Sequence, residues 1–151
     1  MTKEEKQIEL IKFRKLTLAT LDYYEEFYTI ENIISDRDCL LWKKEIELHF
    51  KRGRLTKLKQ WFRDFTEMPI ETKDFKFNTY LKEKTNYDID IFKSFYNRID
   101  KILERGKITT NNQFYDVMSI LNDVSQENKY KKEDILKLDS IVFEFENKNI
   151  K

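Results

Sequence analysis

Residues 88–106 read DIDIFKSFYNRIDKILERG, and this stretch decides the fold. Turning each residue by about 100° gathers Ile91, Phe92, Phe95, Tyr96, Ile99, Ile102 and Leu103 on one face, with the charged residues between them on the other. Asp88 or Asp90 stands where a helix wants an N-terminal cap, and as first-turn acids both suit the helix dipole. Gly106 stands where the chain must leave the helix. The spacing therefore predicts one amphipathic helix with its stop signal in place.

Working outward, Thr110 and Gln113 have capping-box spacing and open a helix with Phe114, Val117, Met118, Leu121 and Val124 inside. A polar linker from Gln126 to Lys132 precedes a last segment with Ile135, Leu138, Ile141, Val142 and Phe145. Its residues 141–145, IVFEF, would suit a strand, but the chain offers no second strand to pair with it, so a helix is expected.

Towards the N-terminus, residues 4–34 read as one long helix whose apolar stripe changes direction. Ile8, Leu10, Ile11, Leu18 and Leu21 share one side, and Tyr23, Phe27, Ile30 and Ile34 the opposite one. No Gly or Pro marks a break near Thr20, so the expectation is a continuous helix with different neighbours at its two ends. Ser35 or Asp36 caps a helix to about Arg52, with Cys39, Trp42, Ile46, His49 and Phe50 in the core, and Gly53 follows as a left-handed C′ residue. A helix over 54–66 carries Leu55, Leu58, Trp61, Phe62 and Phe65. Pro69 suits the first turn of a further helix or a loop. Over 70–86, Ile70, Phe77, Tyr80 and Leu81 fit one helical face while Phe75 does not.

Composition agrees. The chain of 151 residues holds two Gly and one Pro, too few for the hairpins and crossover turns of β-rich folds or for a phosphate-cradling glycine loop. Twelve Phe and eight Tyr supply the apolar area that lets a chain with 38% charged residues build a core. The expected fold is an all-α, single-domain bundle of six or seven helices over residues 1–151. The net charge of +1 gives the whole chain no preference for nucleic acid or an acidic membrane. Cys39 is the only cysteine, which excludes an intrachain disulfide. With no signal peptide and no apolar run of about 20 residues, a cytoplasmic location with no membrane association is expected.

Catalytic and metal chemistry find little to work with. His49 is the only histidine and falls on a predicted core face, and the E-x-x-H element of di-metal bundles does not occur. The reading is therefore no enzyme, no cofactor and no metal. Two clusters remain as candidate binding surfaces. Asp22, Glu25 and Glu26, flanked by Tyr24 and Tyr28, are expected on the outer face of the first helix as a candidate protein-recognition patch, against a plainer reading of a solvated helix with its Tyr rings at the core margin. Lys51, Arg52, Arg54, Lys57, Lys59 and Arg63, with Trp61 and Phe62 between them, form a basic run able to contact phosphates. Its plainer reading puts the rings inward and the cations in water.

The run Phe95-Tyr96-x-x-Ile99-Asp100-x-Ile102, then Gly106-Lys107-Ile108, then Gln113-Phe114-Tyr115-x-Val117, closing with Leu138 and Phe145-Glu146, resembles small helical bacterial immunity proteins encoded beside polymorphic or contact-dependent toxins. The resemblance spans about residues 88–147 and carries no fixed binding residues. It implies a non-enzymatic protein that binds one cognate toxin and blocks it stoichiometrically. The alternative is a nucleic-acid-binding or regulatory helical protein using the basic 51–63 segment.

Overall fold

Thr2 opens the first helix. Its hydroxyl accepts a hydrogen bond from the Glu5 amide, and the Glu5 carboxylate accepts one from the Thr2 amide, both at 3.0 Å. In the computed structural model, which describes residues 1–29 and 34–149, this helix is α1 (Lys3–Tyr23), and it runs into a π turn (Tyr24–Tyr28). There follow α2 (Asp36–Lys51), α3 (Leu55–Glu71), α4 (Lys76–Thr85), α5 (Lys93–Arg105), α6 (Asn111–Leu121) and α7 (Lys132–Asn149). Every regular element among the described residues is helical, so the chain is all-α with seven α-helices. Residues 141–145 lie within α7, as expected. Packing divides the chain into two compact units, Met1–Ile89 and Asp90–Lys151. The sequence, read as one domain, has no compositional change at that point.

In the first unit α1 is the hub, packed on α2, α3 and α4. Leu10, Leu16, Ala19, Leu21 and Tyr23 are buried along it, and so are Thr17 and Thr20. The two threonine hydroxyls tolerate burial because each donates to a carbonyl four residues back, Phe13 at 2.6 Å and Leu16 at 2.8 Å. A helix with neighbours on three sides has no single apolar stripe, which is why the stripe in the sequence turns. Ile8, expected inside, is 64% exposed, beyond the reach of those neighbours. The expected long helix is continuous to Tyr23, and then the Thr29 amide bonds five residues back to the Tyr24 carbonyl at 3.0 Å. Such a widened turn rotates every later side chain relative to α-helical register. Ile30, assigned to the second stripe, lies outside the described residues, as do 31–33.

α2 is capped by Ser35, whose hydroxyl accepts from the Asp38 amide at 3.1 Å. It ends in a Schellman motif: the Gly53 amide bonds to the Phe50 carbonyl at 3.0 Å and the Arg54 amide to the His49 carbonyl at 2.9 Å. Gly53 has the left-handed φ of 65° that this turn requires. Cys39, Ile46 and His49 are buried, with Trp42 and Phe50 half-buried.

α3 outruns its expected end at residue 66 and carries Pro69 within its last turns, where the sequence reading put a new helix or a loop. Proline has no N–H, so the Phe65 carbonyl four residues earlier loses its helical donor. The Tyr24 hydroxyl donates to that carbonyl instead. This substitute donor allows the helix to pass through the proline with its backbone satisfied. Beyond α3 the Asp74 carboxylate accepts from the hydroxyls of Tyr23 at 2.5 Å and Tyr28 at 3.0 Å. Ile70 thus belongs to α3, and the expected 70–86 helix shortens to α4, with Phe77 and Leu81 buried. Phe75 is buried too, from the residue just before that helix.

The second unit follows its sequence pattern more closely. α5 buries Phe95, Tyr96, Ile99 and Ile102, with Phe92 buried just before it, and Gly106 follows at φ 80°. Neither Asp88 nor Asp90 is the helix cap. Asp90 instead accepts from the Phe92 amide at 2.9 Å in the turn before α5. Thr110 caps α6 through the Gln113 amide at 3.2 Å. The Gln113 side chain reaches Thr109, its amide at 2.9 Å and its hydroxyl at 3.1 Å, closing the box one residue early. Val117 and Ile120 are buried, but Val124, expected inside, is 97% exposed because α6 stops at Leu121. Leu138, Ile141 and Val142 of α7 are buried.

The linker between α6 and α7 is a bonded structure in its own right. The Asp123 carboxylate accepts from the Ser125 amide at 3.0 Å, the Ser125 hydroxyl at 2.6 Å and the Asn128 side-chain amide at 2.9 Å. The Tyr130 hydroxyl donates to Asp100 at 2.8 Å, where Lys129 also bonds at 2.8 Å.

Candidate functional site

Asp22, Tyr24, Glu25, Glu26 and Tyr28 were expected together on an outer face, and the structure separates them. Tyr24 is 3% and Tyr28 7% exposed. Tyr24 packs against Phe65, with ring centroids 5.9 Å apart, and Tyr28 against Tyr23 at 5.5 Å. Burial raises both phenol pKa values well beyond the ordinary range, and nearby acids add to it, Glu67 for Tyr24 and Asp74 for Tyr28. These rings are core, because Phe65 of α3 covers Tyr24, and Tyr23 and the Asp74 carboxylate cover Tyr28. The rule that i,i+4 tyrosines beside acids lie outside fails for a surrounded helix.

The three acids stay at the surface. Lys43 of α2 binds Asp22 at 2.6 Å and Glu25 at 3.1 Å. Burial alone would lower the Lys43 pKa, but the hydrogen bonds to the two carboxylates outweigh it and raise it. A second bridge, Arg14 to Glu47 at 2.8 Å, joins the same two helices. Between these pairs lies a groove of about 470 Å³ lined by Leu18, Asp22, Leu40, Lys43, Lys44 and Glu47. Leu40 is 54% exposed there, and Leu41 beside it 50%. Neither leucine belongs to the expected core face of α2. Their place off that stripe was the available signal for an apolar patch on the surface.

The basic run divides. Leu58 and Phe62 point inward and Trp61 is half-buried, as the plainer reading expects, and Lys51, Arg52, Arg54, Lys57 and Arg63 are exposed. None of these five forms an ion pair among the described residues. Lys59 is tied back to α1 by Glu9 at 3.8 Å and by the Phe13 ring at 5.4 Å. Lys57 and Arg63 stand about 120° apart around α3, given about 100° per residue. The six cations therefore do not form one track.

His49 lies in the last turn of α2, just before the basic run. It is 7% exposed, its ring meets the Trp61 ring edge-on at 5.3 Å, and its Nδ1 has no hydrogen-bond partner. Burial lowers its pKa, and Arg54, Lys57 and Arg52 lower it further against the opposing Glu45. Cys39 is fully buried, and burial with the nearby Glu25 pushes its thiol up to about 11. Among the described residues no group of three or more His, Cys, Asp or Glu is arranged to hold a metal, and no helix is long and apolar enough to cross a membrane.

Compared with protein-family models, curated proteins and solved structures, the chain matches none of them.

Proposed function

We propose that this chain is a non-enzymatic binding protein, an immunity protein that neutralises a cognate bacterial toxin in the cytoplasm by stoichiometric contact. The observation that supports this reading most is the α1–α2 groove. An exposed leucine at its wall and a rim of Asp22, Lys43, Lys44 and Glu47 reproduce the apolar centre and polar margin of a protein interface. The ion pairs across α1 and α2 hold the rim side chains in place before a partner arrives, which reduces the ordering cost of docking. Because Lys43 and Lys44 balance Asp22 and Glu47 around the groove, the face selects a partner by shape and apolar fit more than by net charge. Asp22, Glu25 and Glu26 remain contact candidates. Tyr24 and Tyr28 support the face from inside.

The nucleic-acid alternative calls for a continuous cationic track, and the division of the 51–63 run favours the protein-binding reading over it.

The test is co-purification with the product of the neighbouring gene, together with rescue of growth when that product is expressed. A neighbour that encodes no toxin, with no growth defect rescued, removes the proposal. Leu40→Asp, checked for folding by circular dichroism, is expected to weaken the complex about thirtyfold or more, the scale of an interface hot spot.

A further inference from the structure

α7 is apolar on two sides. Its inner face carries Leu138, Ile141 and Val142, all buried, and Phe145, whose ring centroid lies 5.6 Å from that of Phe114 on α6. At about 100° per residue, Leu136 and Phe143 fall within about 20° of each other and nearly opposite that inner face. They are 60% and 65% exposed. Beside Phe143 lies a hollow of about 290 Å³ walled by Asp139, Ser140, Val142 and Glu146. Two apolar side chains one heptad apart, with the small Ser140 between them, have the form of a helix–helix seam.

The charges around the seam say what covers it. Lys132, Lys137, Glu144 and Glu146 are exposed and make no ion pair among the described residues. In the same unit Arg98 of α5 does pair across to Asp116 of α6, at 2.9 Å. We propose that the outer face of α7 is a self-association surface, on which a second copy of the chain lays its own α7 antiparallel, with Ser140 at the two-fold axis. Such a contact uses one patch twice, so the patch must complement itself. It does. Leu136, four residues before Ser140, meets Phe143, three residues after it, and enters the hollow beside that ring. Lys137, three before, meets Glu144, four after, along one flank of the seam. Lys132 meets Glu146 along the other flank. A parallel pair would instead set Lys137 against Lys137 and Glu144 against Glu144, which charge repulsion disfavours. One like-charge contact remains in the antiparallel pair, Asp139 beside its own copy near the axis. The proposal uses the second unit alone and is independent of the α1–α2 groove and of any toxin.

Sedimentation velocity of the full chain over a roughly hundredfold range of concentration is the test, with circular dichroism to confirm that each variant folds. The expected result is a reversible monomer–dimer equilibrium. Phe143→Asp, at an exposed position, is expected to weaken the dimer about tenfold or more, since both seams lose their ring. Leu40→Asp, in the α1–α2 groove, leaves it unchanged. Lys137→Glu sets like charges together at two symmetry-related places and is expected to weaken the dimer about fivefold. Adding Glu144→Lys restores the pairs in reverse and recovers the parent affinity. Asp139→Asn removes the like-charge contact and is expected to tighten the dimer about twofold or more. Monomer at every concentration, an equal loss from Leu40→Asp, or no recovery in the Lys137→Glu and Glu144→Lys double variant overturns the proposal.

Discussion

α1 and α5 both bury large apolar side chains, yet they meet different conditions. α5 carries its buried residues on one stripe and turns its charges to water. α1 is packed on three helices and buries Thr17 and Thr20 with its leucines, while the π turn that follows it buries Tyr24 and Tyr28. On a helix with one covered side, polarity reports exposure. On a surrounded helix polar groups must go inside, and each needs a local partner: a carbonyl four residues back for the threonines, a proline-orphaned carbonyl for Tyr24, the Asp74 carboxylate for Tyr23 and Tyr28. The first unit is therefore held by apolar packing and side-chain hydrogen bonds together. In the second, the bonds of Asp123, Asp100 and Tyr130 gather at one loop, and Arg98 of α5 binds Asp116 of α6 at 2.9 Å.

The largest effect should come from the middle of the surrounded helix. Leu16→Ala, at a fully buried position, is expected to cost about 2–5 kcal/mol in urea unfolding. Ile8→Ala, on the stripe that sequence periodicity calls buried, should cost less than about 0.5 kcal/mol. Equal costs would restore the single-stripe description of α1. Next in size is Tyr24→Phe, which leaves the Phe65 carbonyl without a donor and should cost about 1–3 kcal/mol. Pro69→Ala returns a backbone N–H to that carbonyl, so the Tyr24→Phe penalty should shrink in the Pro69→Ala background. Strict additivity in this double-mutant cycle would show that hydroxyl and proline are unrelated.

The smallest effect is a pH dependence confined to the second unit's loop. Burial alone would raise the Asp123 pKa, but hydrogen bonds from Ser125 and Asn128 hold it below the ordinary carboxylate value. Lys129 and Tyr130 do the same for Asp100. Stability from these groups is fully present above the unfolded carboxylate pKa of about 4 and is lost as pH falls through the lowered folded values. Protection factors of the α5–α7 amides, which remove the intrinsic pH dependence of exchange, should therefore fall on acidification, and less so in Asp123→Asn. A parallel fall in parent and variant would remove Asp123 from the account.

The same contrast explains what could be read from the chain. The helices, Ser35 and Thr110 as caps and Gly53 and Gly106 as stops follow from local rules, because each depends on residues within one turn. The basic run's inward rings followed from helical periodicity. What escaped depends on neighbours distant in the chain. Pro69 looks like a boundary until Tyr24, 45 positions earlier, supplies the missing donor. Tyr24 and Tyr28 look like surface residues until Phe65 and Asp74, more than 40 positions later, meet them. The α1–α2 groove escaped for a related reason: Leu40 gains a role only when Leu18 and Asp22 of α1 are brought beside it.

The sealed thiol of Cys39 has one practical consequence. A side chain with no exposed surface and its pKa pushed up to about 11 offers a labelling reagent neither access nor thiolate. Alkylation must wait for α2 to lift from its neighbours. With a single cysteine per molecule, the rate of adduct formation in native buffer becomes a stopwatch for that opening, with no engineered probe and no denaturant.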